Sequence, residues 1–296
     1  MPSSFLTHLA AGSVLVADGA TGTNLQAAGL PAGVSAESLV FDEPEKILAL
    51  HRAFIAAGSD IILTCSFRGN RLCLHGSKLA GSVPALNRQA AVLARRAADE
   101  AGGHVFVAGS MGPTGQLMAP YGPLAHADAV SVYAEQAAAL AEGGVEFLVL
   151  ETFYALEEAQ AAIEGVQQAA PLPLVCSFSY DRGVRTMMGV GPAQMAEAIA
   201  PLGVVALGAN CGTTPENMEA VILELAGHSG GLPIWAKPNA GVPEGTPPRY
   251  KIGPDAMAAW ARRYRTAGAQ IVGGCCGNTP AHIRAIAEAV KLENSY

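Results

Sequence analysis

Short apolar runs alternate with amphipathic segments along the whole chain. Each run has four to six residues, is rich in Val, Ile and Leu, and carries few polar residues on either face. This pattern is typical of parallel strands that are covered on both sides. Eight strands are predicted in this way: Val14–Ala17, Ile61–Thr64, Val105–Ala108, Phe147–Leu150, Leu174–Phe178, Val204–Ala209, Leu232–Lys237 and Gln270–Gly273.

Segments with helical periodicity lie between these runs. In Pro44–Ala57, for example, Ile47, Leu48 and Phe54 fall on one face of a helix. Several segments open with proline, which is favoured in the first helical turn. Seven more helices are predicted: Val83–Ala101, Ala125–Glu142, Ala155–Ala169, Pro192–Ala200, Pro215–Leu225, Pro254–Ala267 and Pro280–Lys291.

Strand–helix alternation without a long linker predicts an α/β fold of parallel strands with crossover helices. Eight such units favour a closed (β/α)8 TIM barrel over an open doubly wound sheet. A barrel of this kind accommodates all 296 residues as one domain, so residues 1–296 are predicted to form a single (β/α)8 domain.

Composition excludes several classes of function. The net charge is −7 with no basic cluster, which argues against a nucleic-acid partner. No apolar run reaches the roughly 20 residues that span a bilayer, and Met1–Phe5 lacks the features of a signal peptide. We therefore expect a cytoplasmic protein without a membrane partner, in which a homo-oligomer is plausible. The six cysteines would then be reduced, so their presence is not explained by disulfide bonds.

The active site of a (β/α)8 barrel lies at the carboxyl ends of its strands. Polar and sulfur-bearing residues cluster at these ends. The segments concerned are Asp18–Asn24, Thr64–Phe67, Gly109–Pro113, Glu151–Phe153, Asn210–Gly212, Lys237–Gly241 and Gly274–Gly277.

Three cysteines stand out among these residues. Cys275 and Cys276 are adjacent and flanked by glycines, and Cys211 follows another apolar run. Three thiolates can hold Zn²⁺ and leave the fourth tetrahedral position open, as in catalytic sites. Such a site suits a fourth thiolate, and the implied reaction is alkyl transfer to a substrate thiol. The alternative is that they are core cysteines beside tight turns.

The other three cysteines receive simpler interpretations. Cys73 and Cys176 are interpreted as packing residues. Cys65 is predicted to face the site from a strand end, without being a metal ligand.

Two carboxylates, Asp18 and Glu151, also end predicted strands. They could bind the ammonium group of an amino-acid substrate through charge-assisted hydrogen bonds. The alternatives are a turn cap for Asp18 and a salt bridge for Glu151. Asn210 and Asn239 could orient ligands, brace the loops that carry the cysteines, or be turn residues. The glycine-rich segments Asp18–Asn24 and 109–115 allow the backbone to approach a ligand closely.

Together these motifs resemble the homocysteine S-methyltransferase family over nearly the whole chain. The combination of Asn210-Cys211-Gly212 with Gly273-Gly274-Cys275-Cys276-Gly277 is highly specific to it. The resemblance implies a (β/α)8 barrel, homocysteine as methyl acceptor and a small methyl donor, with Zn²⁺ on Cys211, Cys275 and Cys276. It also implies these substrate-binding residues: Asp18, Gly19, Thr21, Ser110, Met111, Gly112, Glu151 and Asn210.

Within the family the chain is most similar to bacterial betaine–homocysteine methyltransferases, through residues 64–72 and 185–189. It also resembles the homocysteine-binding module of cobalamin-dependent methionine synthase. One departure concerns the donor site, which animal betaine enzymes line with aromatics. Here Thr152 and Arg68 stand at or near two such positions. A substitute cage could come from the following residues, for which core packing is the alternative: Phe67, Phe153, Tyr154, Tyr180 and Trp235.

Four other functions compete with an onium donor of the betaine type. A sulfonium such as S-methylmethionine or dimethylsulfoniopropionate could supply the methyl group, or a separate corrinoid protein could. A non-catalytic barrel that binds zinc and thiols is a third possibility. A Schiff-base aldolase using Lys237 is the fourth, and it leaves the three cysteines unexplained.

Overall fold

The computed structural model describes residues 4–31, 33–212, 214–245 and 248–291. Its strands are β1 Leu15–Val16, β2 Ile61–Leu63, β3 Phe106–Met111, β4 Phe147–Phe153, β5 Leu174–Phe178, β6 Ala206–Cys211, β7 Ile234–Pro238 and β8 Ala269–Val272. They form one parallel sheet in the order β1-β8-β7-β6-β5-β4-β3-β2. Nearly every strand residue is buried, because helices cover the outer face and side chains fill the inner one.

The sheet closes between its first and last strands. A parallel bridge joins Ala17 to Ile61. The Asp60 N–H donates to the Val16 carbonyl at 2.7 Å, and the Asp18 N–H donates to the Ile61 carbonyl at 2.9 Å. The predicted (β/α)8 barrel is therefore confirmed, and the open-sheet alternative is wrong.

The helices are α1 Phe5–Ala10, α2 Thr21–Ala27, α3 Leu39–Asp42, α4 Pro44–Ala56, α5 Arg71–Leu74, α6 Val83–Glu100, α7 His126–Glu142, α8 Leu156–Ala169, α9 Pro192–Ile199, α10 Pro215–His228, α11 Pro254–Thr266 and α12 Pro280–Lys291. The eight predicted helices are all present, with ends that move by up to three residues. The four short helices α1, α2, α3 and α5 were not predicted.

The barrel interior is a compact apolar core that ends well below the strand tips. Its fully buried members include Phe106, Phe147 and Trp235. Helix α1 closes the amino-terminal end, where the Phe5 ring stacks on Phe147 with centroids 3.9 Å apart. One end of the barrel is thus sealed by apolar side chains, so polar chemistry is confined to the carboxyl end.

Four strands extend further at their carboxyl ends than the sequence predicts. β3 continues to Met111, β4 to Phe153, β6 to Cys211 and β7 to Pro238. Ser110 and Glu151 therefore belong to the strands themselves rather than to the following loops. Their side chains gain the fixed positions of a sheet, which is the more precise support for a site.

Candidate active site

The structure brings the three predicted cysteines together at the carboxyl end of the barrel. Cys211 ends β6, and Cys275 and Cys276 lie in the metal loop (residues 273–278) between β8 and α12. The Cys211 and Cys275 sulfurs are 3.0 Å apart, and all three sulfurs lie within 4.8 Å of one another. This arrangement could hold a metal ion with three thiolate ligands.

The thiols interact strongly with one another. A hydrogen bond from the Cys211 thiol lowers the pKa of Cys276 to about 3. A hydrogen bond to Cys275 raises the pKa of Cys211 well above its ordinary value. Without a cation the cluster thus accommodates one thiolate, and full deprotonation requires positive charge beside the sulfurs.

Close backbone packing fixes the metal loop. The Cys275 N–H donates to the Pro238 carbonyl at 2.7 Å, and the Cys276 carbonyl accepts from the Ala240 N–H at 2.9 Å. A Cβ added at Gly274 would lie only 2.4 Å from the Asn278 Cβ. The glycine before the cysteine pair is needed because another residue would displace the loop.

Asn210 connects three neighbouring strands directly below the thiols. Its Oδ1 accepts from the Thr152 N–H at 2.9 Å and from the Ser177 hydroxyl at 2.6 Å. Its Nδ2 donates to the Thr152 hydroxyl at 2.7 Å and lies 4.0 Å from the Cys275 sulfur. These bonds tie the ends of β4, β5 and β6 together beside Cys211, so of the roles predicted for Asn210 they fit bracing.

Two non-glycine residues beside Asn210 have left-handed backbones. Thr152 has φ of 66° and Cys211 has φ of 57°. A β-branched residue rarely adopts positive φ, and each such residue costs roughly 1–3 kcal/mol unless its surroundings enforce it. The Asn210 bonds to Thr152 provide that enforcement.

Asp18 and Lys237 form a buried ion pair on the floor of the site. Lys237 Nζ lies 2.6 Å from Asp18 Oδ1, and the two side chains are 3% and 1% exposed. Asp18 Oδ2 accepts the Leu63 N–H at 2.8 Å. Asp18 is thus neither a simple turn cap nor free, because both of its oxygens have donors.

The ion pair also bears on the aldolase alternative. Burial favours the neutral amine of Lys237, but the carboxylates of Asp18 and Glu151 outweigh burial and raise its pKa. A Schiff-base lysine must be neutral to attack a carbonyl. Lys237 in this pairing is held as an ammonium ion, so the structure does not favour the aldolase.

Glu151 sits opposite this pair in a hydroxyl network. The Ser110 hydroxyl donates to Glu151 Oε1, and the Ser110 N–H donates to the Thr64 hydroxyl at 3.0 Å. Burial raises the pKa of Glu151 to about 7, and the Lys237 ammonium opposes the shift without cancelling it. Among the described residues no cationic group forms a hydrogen bond or ion pair with Glu151, so it is a carboxylate in need of a positively charged partner.

Ser110, Met111 and Gly112 face different sides of the barrel wall. Met111 is fully buried in the core between sheet and helices. A Cβ added at Gly112 would lie 2.5 Å from the Phe67 ring, so glycine lets that ring lie against the strand end. Ser110 alone directs its side chain into the site. Met111 could meet a substrate only through its backbone.

Gly19 and Thr21 lie in a segment that packs against the metal loop. A Cβ added at Gly19 would lie 2.5 Å from the Asn278 carbonyl oxygen. Thr21 begins α2, and the Thr23 hydroxyl accepts the Gly277 N–H at 3.1 Å. The segment braces the metal loop, and its contact with a substrate stays a prediction.

The cysteines outside the cluster are packing residues. Cys176 is fully buried in the outer core. Cys73 is half-buried and hydrogen-bonded to the Pro113 and Thr114 carbonyls at 3.4 Å. Cys65 packs with Leu25, Leu39 and other residues between α2, α3 and α6. The prediction that Cys65 faces the site is wrong, because its side chain is buried among these helices and not at the mouth of the barrel.

Most of the aromatic residues considered for a donor cage are buried in the core. Phe153 and Trp235 are fully buried and Tyr180 is 2% exposed. Phe67 and Tyr154 are half-buried. Of the five aromatics considered from the sequence, these two remain able to meet a ligand.

Tyr250 belongs to the site and was not predicted. Its ring packs on the metal loop, since a Cβ added at Gly277 would lie 2.4 Å from the ring. Burial raises the pKa of the Tyr250 hydroxyl, and the neighbouring Cys276 thiolate raises it further. Tyr250 lies in the loop after β7, where no motif marks it. A partner that donates to a ligand sulfur tunes metal affinity.

We expect Tyr250→Phe to weaken metal binding about 10-fold, at the low end of the roughly 10- to 100-fold effects of outer-shell residues. The reason is loss of the hydroxyl that neutralises part of the charge on Cys276. Competition with a chromophoric chelator measures the affinity. Tyr121→Phe, at a 78% exposed position, is the matched control. Equal affinities in both variants would contradict a bond from the hydroxyl to sulfur.

Comparison with known proteins identifies the family. The model of the family described as homocysteine S-methyltransferase matches residues 15–290. The chain belongs to the homocysteine S-methyltransferase family. Its family places it among methyltransferase enzymes.

This chain is similar to two groups of relatives. The methionine synthases of Mycobacterium tuberculosis and Mycobacterium leprae are 33% and 32% identical over 94% of this chain. The chain spans 24% of the length of these two relatives. The metallated crystal structure of the homocysteine methyltransferase MmuM from Escherichia coli is 26% identical, with a TM-score of 0.80 over 93% of this chain and 96% of MmuM. None of the described helices of this homocysteine S-methyltransferase family member is long and apolar enough to cross a membrane.

Proposed function

We propose that this chain is a zinc-dependent methyltransferase that moves a methyl group from a betaine-like onium donor to the thiol of homocysteine, giving methionine. The observation that carries the proposal is the cluster of three cysteine sulfurs within 4.8 Å at the carboxyl end of the barrel. Family membership over residues 15–290 and the E. coli relative crystallised in a metallated form support it. We also propose that residues 1–296 form a single domain.

The donor set fits zinc. Three thiolates suit a borderline-soft ion of tetrahedral preference, and three ligands leave a position for a substrate sulfur. The hydrogen-bonded thiols of the cluster need positive charge before all can ionise. Zinc, when bound, supplies the charge that keeps an acceptor sulfur deprotonated near neutral pH.

The protein's own groups orient the acceptor. Glu151 offers a buried carboxylate to the ammonium group of homocysteine, and the Ser110 hydroxyl fixes the orientation of that carboxylate. Asn210 holds the end of β6, and with it Cys211, through its bonds to Thr152 and Ser177. These groups are almost entirely buried, so they align the acceptor in a site that excludes water.

Methyl transfer then follows as a displacement at carbon. The acceptor thiolate attacks the methyl carbon, and a new sulfur–carbon bond forms. The bond between that carbon and the donor's onium nitrogen or sulfur breaks, and its electron pair stays on the leaving atom. The proton released by the acceptor thiol passes to solvent. The half-buried ring of Phe67, which lies against Gly112, is available to face a cationic donor.

The test is an assay of zinc-loaded protein with homocysteine and single donors: glycine betaine, S-methylmethionine, dimethylsulfoniopropionate and methylcobalamin. Methionine from glycine betaine is the expected result. Methionine only from a sulfonium would retain the acceptor chemistry and replace the donor. Turnover only with methylcobalamin would indicate a separate methyl-carrying protein, a possibility raised by the longer methionine synthases. Zinc binding without methionine from any donor would overturn the proposed activity in favour of a regulatory barrel.

A further inference from the structure

A narrow cleft opens between the loops that follow β3, β4 and β5, and we call it the rim cleft. Its walls are mainly apolar, aromatic and sulfur-bearing, and they include Leu117, Met118, Tyr121, Tyr154, Ala155 and Met188. Its charged lining residues are two carboxylates, Glu157 and Glu158. Asp18, Glu151 and the three cysteines of the cluster do not line it. The rim cleft is therefore distinct from the site described above.

Glu158 is a buried carboxylate that uses one of its two oxygens. It lies in the first turn of α8 and is 1% exposed. Its Oε1 accepts the Thr114 N–H at 2.7 Å, the Thr114 hydroxyl at 2.6 Å and the Tyr133 hydroxyl at 2.8 Å. Its Oε2 accepts no hydrogen bond from residues within the described ranges. Because Thr114 and Tyr133 do not line the rim cleft and Glu158 does, Oε2 is the oxygen that faces the cleft.

The negative charge of the rim cleft is unpaired. Over the described parts of the chain, no Lys, Arg or His side chain forms an ion pair or a hydrogen bond with Glu157 or Glu158. Burying a carboxylate without a cationic partner is costly. Burial raises the pKa of the Tyr154 hydroxyl, and the charge of Glu158 raises it further, so this half-buried ring lies near the carboxylate. The rim cleft thus combines an unpaired negative charge with an aromatic ring.

This combination suits a small alkylated ammonium ion. An aromatic ring attracts such a cation through its electron-rich face. The thioethers of Met118 and Met188 adapt their shape to methyl groups and require no hydrogen-bond partner. A Ca²⁺ or Mg²⁺ ion would need about six oxygen ligands, which these walls do not supply, and the two carboxylates would repel an anion.

We propose that the rim cleft is a second ligand site, which binds a small methylated ammonium ion with Glu158 as its anionic anchor and Tyr154 as the ring that faces the methyl groups. The thiol cluster does not line the cleft, so binding there requires no metal. The inference goes beyond the proposed function and does not depend on it, because it concerns binding rather than methyl transfer.

Choline and 3,3-dimethylbutan-1-ol test the need for a positive charge, because the alcohol has the shape of choline with carbon in place of nitrogen. Each compound is titrated into the zinc-loaded protein by calorimetry, without homocysteine. We expect choline to bind, and the neutral alcohol to bind at least about 10-fold more weakly, the order of one charged contact. Cys276→Ala should bind choline as tightly as the wild-type protein does.

Two variants test the cleft itself. Glu158→Gln removes the charge, while its amide oxygen can still accept from Thr114 and Tyr133. It should weaken choline binding at least about 10-fold and leave the binding of the alcohol unchanged. Met188→Lys, at a 43% exposed position of the cleft wall, offers Glu158 a tethered ammonium group and should weaken choline binding to a similar extent. Glu197→Gln, at an exposed position of α9 outside the cleft, is the control and should bind choline normally.

Three results would overturn the inference. If Glu158→Gln and Met188→Lys bind choline as the wild-type protein does, Glu158 only holds the loop after β3; Met188→Lys decides alone if Glu158→Gln does not fold. If Cys276→Ala loses choline binding, the ligand occupies the thiol site instead of the rim cleft. If choline binds no better than the alcohol, or does not bind, the cleft has no preference for a cation. Methionine formation is measured separately, so each of these results leaves the proposed function standing.

Discussion

Cys276→Ala should lose both its metal and its ability to form methionine. Cys276 is the sulfur on which the cluster's negative charge settles, because Cys211 and Cys275 both donate hydrogen bonds to it. Removing a ligand atom should exceed the roughly 10- to 100-fold losses caused by outer-shell changes. We therefore expect less than about a hundredth of the wild-type activity, together with substoichiometric zinc by elemental analysis.

Cys73→Ser is the matched control for this experiment. Cys73 is half-buried and lies outside the sulfur cluster, and a serine hydroxyl can keep its hydrogen bonds to the neighbouring carbonyls. The control should retain stoichiometric zinc. If Cys276→Ala kept both zinc and activity while remaining folded, the three-thiolate site would be wrong.

The strands and the thiol cluster are predictable from sequence because their signals are local. A buried parallel strand appears in the sequence as a short apolar run. The carboxyl ends of such strands meet at one end of the barrel. Cys211, Cys275 and Cys276 each lie within three residues of the end of such a run. Their convergence therefore depends on topology alone and not on the details of packing.

The side chains that interact with the site residues cannot be predicted from the sequence in the same way. Asp18 and Lys237 are 219 residues apart, and whether they pair depends on strand stagger, which no local pattern encodes. Tyr250 reaches the Cys276 sulfur from a loop, where the chain direction is set by packing on Gly277. Helix α1 was missed because its six residues are too few to show helical periodicity.

The orientation of individual side chains was the other source of error. A shift of one residue along a strand directs a side chain to the opposite face of the sheet. Cys65 was expected to face the site, but it lies two residues beyond the end of β2 and is buried among helices. In β3, Met111 faces the helices, which leaves its predicted backbone contact with a substrate untested. Ser110, the neighbour of Met111, faces the site for the same reason.

Glu151→Gln should separate substrate binding from stability. Burial raises the pKa of Glu151 to about 7, so the carboxylate forms as pH rises through neutrality. The ammonium group of homocysteine is attracted only by that ionised form. We expect kcat/KM for homocysteine to rise between pH 6 and 8 in zinc-loaded wild-type protein. The variant should lose this step and roughly 100-fold in kcat/KM at pH 8, the order of one charged hydrogen bond.

The free energy of unfolding should change in the opposite direction to the activity, both with pH and in the Glu151→Gln variant. A carboxyl group whose pKa is raised by folding binds an extra proton in the folded state between pH 4.5 and about 7, so its contribution to the free energy of unfolding falls as pH rises across that window. Above pH 7 the ionised group costs about 3 kcal/mol, from 1.36 kcal/mol per pKa unit. The amide that replaces the carboxylate in Glu151→Gln carries no charge, so the variant should unfold at higher denaturant concentration than wild-type protein at pH 8 in the absence of homocysteine.

These opposite signs make the experiment decisive. Glu157→Gln, at an exposed position of the next helix, should change neither the pH profile nor the denaturation midpoint. A variant that became both less active and less stable at pH 8 would indicate that Glu151 holds the barrel together. A variant that gained stability while losing affinity for homocysteine would mean that the uncompensated buried charge is retained because the substrate ammonium compensates it.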